Sequence, residues 1–147
     1  MSNMIQAARE QVAALTQAAY ERAAAEGLLP AGAEVKATIE IPKDVTHGDY
    51  ASSFAMAGAK ALRRAPRQIA EVIVSHLDLA GTFFDKVEIA GPGFLNFTLG
   101  SRWYGQVIAD VEREGARYGE SDEGHGEKVM VEFVSANPTG PMHMGNA

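Results

Sequence analysis

An α+β fold, a small antiparallel sheet with helices layered on it, is predicted by this sequence from three observations. Segments with apolar residues at steps of three and four share the chain with segments of period two. Two of the period-two segments are joined by nothing longer than Gly91-Pro92-Gly93, which makes a hairpin. No regular strand-helix-strand alternation is present, so helices and antiparallel strands are mixed. At 147 residues and 46% hydrophobic content, the chain can bury one core and little more.

The first segment carries Ile5, Ala8, Val12, Leu15 and Ala19 on one helical face, with Gly27 as its stop and Pro30 barring a restart. Val35, Ala37, Ile39 and Ile41 then alternate with Lys36, Thr38 and Glu40, the period of a half-buried strand that Pro42 ends. After a His47-Gly48-Asp49 turn, periodicity leaves Tyr50 to Met56 open between strand and helix. Ala57 to Arg64 reads as a helix that stops before Pro66, because the residue preceding proline avoids helical angles. Pro66 opens the next helix, with Ile69, Val72, Ile73 and Leu77 inward. Phe84 to Ile89 and Phe94 to Leu99 are the hairpin strands. Ser101 is expected to cap a last helix with the core stripe Tyr104, Val107, Ile108 and Val111.

The character then changes. Gly115, Gly119, Gly124 and Gly126 stand among Glu120, Asp122, Glu123 and Glu127 without an apolar period, which reads as a linker over residues 116–127. A first domain is therefore expected over 3–115 and the start of a second over 128–147. The second opens with Val129 to Val134, nearly continuous in apolar residues like a buried parallel strand. A turn-rich loop follows, from Ser135 to Asn146. A strand, a loop and the start of a helix are how nucleotide folds build a phosphate site.

Within that loop, His143 and Asn146 are three apart and share a side, where both donate hydrogen bonds to phosphate oxygens. Gly145 between them lets a flat adenine approach the backbone. On spacing alone the trio also suits an ordinary turn. In the first domain, if Leu95, Phe97 and Leu99 face the core, Phe94, Asn96 and Thr98 face the other way. An aromatic ring and an amide then stand side by side, a pair able to stack on an extruded base and read its edge. The competing reading is a helix over this face, with Phe94 as core. Lys60, Arg63, Arg64 and Arg67 form either a phosphate patch or a solvated face. His76 and His125 have no partner at a metal-ligand spacing, and no metal site is expected.

The run from Val131 to Asn146, VEFVSANPTGPMHMGN, resembles the signature of bacterial arginyl-tRNA synthetases. His47-Gly48-Asp49-Tyr50-Ala51 and Gly91-Pro92-Gly93-Phe94-Leu95-Asn96 resemble that family's amino-terminal additional domain. The resemblance implies a class I ligase that activates arginine with ATP, accompanied by magnesium, and loads it onto tRNA(Arg). It also implies ATP contacts at His143, Gly145 and Asn146, with His143 and Asn146 catalytic. Arginine contacts are implied at Asn137, Glu132 and Ser135, and tRNA D-loop contacts at Phe94 and Asn96. The class I signature usually ends in a second histidine. Asn146 stands there, an amide that donates a hydrogen bond but cannot become cationic.

The chain stops inside the ATP signature, so a truncated catalytic domain with no arginine-activating activity of its own is expected. A net charge of −6 excludes RNA binding by bulk electrostatics, so any RNA contact must rest on specific groups and a local patch. The absence of cysteine excludes disulfides and thiolate metal sites. Glu10, Glu21 and Glu26 interrupt the alanine-rich start, which argues against a targeting peptide, and a cytoplasmic location is expected. Neither a membrane span nor an obligate protein partner is evident in the sequence.

Overall fold

The computed structural model of the chain describes residues 3–132. Its elements run α1 (Met4–Ala25), β1 (Ile39–Glu40), β2 (Tyr50–Ser52), α2 (Phe54–Leu62), α3 (Pro66–Ser75), β3 (Phe84–Ala90), β4 (Phe94–Leu99) and α4 (Ser101–Glu114). Short 3-10 turns cover Val45–His47 and Gly115–Arg117. The strands form one antiparallel sheet in the order β1-β2-β4-β3. This is the predicted α+β arrangement. Among the described residues, no helix is long and apolar enough to cross a membrane.

The sheet sorts its side chains by register. Tyr50 pairs with Phe97, and Phe97 with Val87; Ser52 pairs with Leu95, and Leu95 with Ile89. These side chains meet Ala8, Val12, Phe54, Leu62, Ile69 and Ile73 from α1, α2 and α3 in one apolar core. Phe84 and Phe97 pack edge to face at 5.3 Å, and Tyr50 meets Phe84 at 6.0 Å. The opposite parity places Glu40, Ala51, Asn96 and Glu88 in one row on the other face.

Side-chain hydrogen bonds fix the loops around this core. The Tyr20 hydroxyl donates to Pro30 O at 2.7 Å and accepts from Ala33 N–H at 2.9 Å, holding the loop after α1 against that helix. At the end of α1, Gly27 N–H bonds to Ala24 O and Leu28 N–H to Ala23 O, closing the helix as a Schellman motif. The Trp103 indole donates to Met4 O at 3.1 Å, tying α4 to the start of α1.

Several sequence expectations are corrected. Ile5 is 53% exposed and Met4, four residues before Ala8, is buried in its place, while Ala8, Val12 and Ala19 are buried as expected. The strand expected over Val35–Ile41 is reduced to Ile39–Glu40, since its partner β2 offers only three residues. Ala37 and Ile41 are accordingly exposed. The open segment Tyr50–Met56 is both things in turn, strand through Ser52 and helix from Phe54. Ser101 is the first residue of α4; Gly100 holds the cap position, without a side-chain cap bond.

Among the described residues, the stripe on α4 faces no core. Tyr104, Ile108 and Val111 are 51%, 60% and 40% exposed, and α4 packs on the core cluster through Trp103. Periodicity identifies an apolar face but not what covers it. In the segment expected to open a second domain, residues 129–132 are exposed and outside any strand, and the rest of that segment lies outside the described residues.

Two predictions follow from backbone and ion-pair geometry. Gly48 has φ +78°, and a Cβ there would lie 2.7 Å from Phe97 O. Gly32 has φ +73° with open space around it. Gly48→Ala should therefore lose stability through both conformational strain, roughly 1–2 kcal/mol, and a backbone clash, while Gly32→Ala loses only the first. Urea unfolding of both variants checks this, and equal losses would contradict it.

His76 joins α3 to α1. Its Nε2 lies 3.0 Å from Glu26 Oε2 and its Nδ1 2.8 Å from Val72 O, while Arg22 Nε donates to His76 O. Two acceptors facing the two ring nitrogens favour the imidazolium, and the Glu26 carboxylate, followed by the Val72 carbonyl, raises the His76 pKa. A raised folded-state pKa stabilises fully below the unfolded value of about 6.5, and that contribution is lost as pH rises through the folded value. Unfolding midpoints should fall between about pH 5.5 and about pH 8 by more in the wild type than in Glu26→Gln. The same pH dependence in both proteins would remove this link from the account.

Candidate nucleic-acid interface

The sheet face away from the helices carries a pocket of about 490 Å³, within the size range of small-ligand sites. Phe94 and Asn96 line it together, as the parity of β4 predicts. Phe94 is half-buried and stands apart from the apolar core cluster, so the reading of it as core does not hold. Asn96 is 7% exposed, yet among the described residues its side-chain amide has no hydrogen-bond partner. The amide atoms are not sealed off, since Arg9 Nε is the one side-chain polar atom among the described residues that is both buried and unpartnered; the Asn96 amide opens onto the pocket. A ligand there would take the place of water on a side chain already held in position.

Ala51, Cα partner of Asn96 on β2, also lines the pocket, and its small side chain leaves the space open. Glu40, Pro42, Lys43, Asp44 and His47 form the wall from β1 and the following turn. Asp44 is kept a carboxylate, its pKa lowered first by the Thr46 hydroxyl at 2.7 Å and then by Thr46 N–H. The rim therefore mixes Lys43 and His47 with Glu40 and Asp44, and holds no excess of positive charge.

The two short motifs of the first domain hold this pocket in place. Asp49 N–H bonds to Phe97 O at 2.8 Å, and Asp49 Oδ2 accepts from Leu99 N–H at 2.7 Å, extending the β2–β4 pairing past the end of β2. Gly48 touches the β4 backbone where a Cβ would clash. The Gly91-Pro92-Gly93 turn closes the β3–β4 hairpin, and Gly91 and Pro92 border the pocket. Gly93, at φ +146°, lies so close to Pro66 that a Cβ would sit 3.0 Å from the Pro66 carbonyl carbon. Arg67 Nη1 donates to Gly91 O at 3.3 Å and pairs with Glu71 at 3.6 Å. The start of α3 is thereby fixed to the turn that rims the pocket.

Of the other residues singled out in the sequence, Glu132 is exposed and outside any helix or strand. Ser135, Asn137, His143, Gly145 and Asn146 lie outside the described residues. Sequence reasoning missed Ala51 and the wall from Glu40 to His47. Ala51 was within reach, since it follows Tyr50 with the opposite parity; the wall depends on how the turn folds back. A larger hollow of about 830 Å³ borders Glu114, Arg117 and the turns from Glu120 to His125. It is built from helix ends and exposed turns, half of its lining side chains are acidic, and no strand borders it.

Residues 5–99 match the family model described as the arginyl tRNA synthetase N terminal domain. Over all 147 residues, the chain is 46% identical to an arginine–tRNA ligase of Acetivibrio thermocellus, and it spans 26% of that protein. An arginine–tRNA ligase of Bacillus subtilis is 50% identical over 109 residues, which are 74% of this chain and 20% of the relative. The chain thus spans about a quarter or less of the curated relatives it matches. A crystal structure of arginyl-tRNA synthetase from Plasmodium falciparum shares the fold, with a TM-score of 0.54 at 15% identity. That match covers 68% of this chain and 17% of the other.

Proposed function

We propose a role that proceeds from family membership: the chain belongs to the arginyl-tRNA synthetase family, and its first domain, residues 3–115, holds the outer corner of tRNA. In this reading Phe94 stacks on a D-loop base and Asn96 bonds to that base's edge. One observation carries it: Asn96 is 7% exposed, lines an open pocket and has no partner among the described residues. A base edge supplies a donor and an acceptor together, which is what a side-chain amide requires. Phe94 beside it offers a ring outside the core, and every base has a face to stack on it.

The protein to which this domain belongs would activate arginine with ATP, magnesium accompanying the nucleotide, and transfer the arginine to tRNA(Arg). Residues 116–127 serve as the linker and residues 128–147 as the start of the catalytic domain. There His143, Gly145 and Asn146 hold ATP, with His143 and Asn146 stabilising charge on the phosphates, while Glu132, Ser135 and Asn137 contact arginine. A carboxylate such as Glu132 suits a guanidinium or ammonium group. These assignments rest on the residue run from Val131 to Asn146 and on the relatives. The 147-residue chain alone should not catalyse arginine-dependent pyrophosphate exchange, since it spans only 26% of the length of a relative that is a whole ligase.

Base stacking contributes roughly 1–3 kcal/mol per base, so Phe94→Ala in a full-length synthetase carrying this domain should weaken tRNA use by about tenfold or more. Asn96→Ala should lose less, and its effect should depend on which base is present. Aminoacylation by both folded variants, with tRNAs altered at that base, is the measurement. Wild-type efficiency and base preference in both would show that this strand does not read RNA.

A further inference from the structure

We propose that Lys60, Arg63 and Arg64, at the corner between α2 and α3, form a ledge that binds phosphates of the RNA strand whose base enters the sheet pocket. The inference rests on the base-reading role of Phe94 and Asn96 and adds the groups that hold the backbone beside it. Its first support is charge. In a chain of net charge −6, Arg67, Lys86, Arg113 and Arg117 pair with carboxylates. Lys60, Arg63 and Arg64 are exposed, and among the described residues none of them makes an ion pair. Arg9, Arg22, Lys36, Lys43, Arg102 and Lys128 likewise make no ion pair among the described residues; what marks Lys60, Arg63 and Arg64 is that three such cations stand together at one corner of an acidic molecule.

The second support is the backbone. Arg63 ends α2 at φ 52° and ψ 38°, the left-handed conformation that helix ends ordinarily give to glycine. An arginine there holds strain that glycine would avoid, and such strain is most often kept where the side chain has a task.

The third support is place. Arg63 precedes Pro66 by three residues, so their Cα atoms are at most about 11 Å apart. Pro66 packs against Gly93, and Arg67 is hydrogen-bonded to Gly91, both in the turn beside the pocket. In this proposal, the backbone of a nucleotide whose base lies on Phe94 leaves the pocket over the Gly91 and Pro92 rim. The pocket rim, with Glu40 and Asp44 beside Lys43 and His47, offers phosphates no net attraction. The ledge does. Base contacts and phosphate contacts are then divided between the sheet and the helix corner, one specifying and the other positioning.

The test is tRNA(Arg) binding by the 147-residue chain, followed by fluorescence anisotropy across a salt series. Arg63→Gly is the informative variant, because glycine accepts the Arg63 backbone conformation and the fold should be as stable or more so. It should nonetheless bind about tenfold more weakly at low salt, and the slope of log K against log salt should shrink by about 0.7–0.9. Arg64→Ala and Lys60→Ala should act in the same direction, and a melting curve for each confirms that it is folded. Wild-type affinity and salt slope in all three would overturn the ledge. If Phe94→Ala still weakened binding in that case, the base pocket would stand without it. Loss at the ledge with no effect of Phe94→Ala or Asn96→Ala would support the ledge and overturn the base pocket. No measurable binding by the wild-type chain at low salt would overturn the ledge as drawn.

Discussion

Strand β4 answers to two surroundings at once. It lies between β2 and β3 in the sheet, so every second side chain is committed to the core and the rest to the opposite face. Leu95 and Phe97 are fully buried against α1, α2 and α3, while Phe94 and Asn96 line the pocket behind them. A slip of one residue would exchange the two sets, burying an amide in the core and exposing Leu95 and Phe97. The register must therefore be held from both ends. The close approach of Gly48 and the paired bonds of Asp49 hold it on the β2 side, and the glycine-proline-glycine turn with its Pro66 contact holds it on the other. Core and candidate site are specified by one alignment.

Much of this was legible because β4 has a plain period of two and its neighbours are marked by Gly and Pro. The hairpin strands, the opening of α3 at Pro66 and the shared side of Phe94 and Asn96 all follow from those signals. What was not legible depends on partners distant in sequence. Ala37 and Ile41 alternate correctly for a strand, yet β2 is too short to pair with them. Tyr104, Ile108 and Val111 have a good helical stripe that the described residues leave exposed. Ala51 looks like any small residue until the register sets it opposite Asn96. Most of the ATP and arginine residues named from the signature lie outside the described part.

The acidity of the chain also changes meaning once its charges are placed. Carboxylates pair with Arg67, Lys86, Arg113 and Arg117, and Glu26 does the same for His76, among 13 lysines and arginines in all. A nucleic acid approaching such a surface meets weak repulsion over most of it and attraction at few points. Selectivity is served by that distribution, because general adhesion to polyanions is suppressed while specific contacts keep their full effect.

The indole bond from Trp103 to Met4 O brings the first turn of α1 against the first turn of α4. The entrance of the domain thus lies beside the start of its last helix, and Asn3 and Glu114, near its two ends, border one hollow. A unit of that shape can be attached to, or inserted in, another protein at a single point without pulling its ends apart. New termini in the exposed loop around Gly32, with a bridge from α4 to α1, would leave β4 intact and test how much Leu29 and Ala33 add to the core cluster.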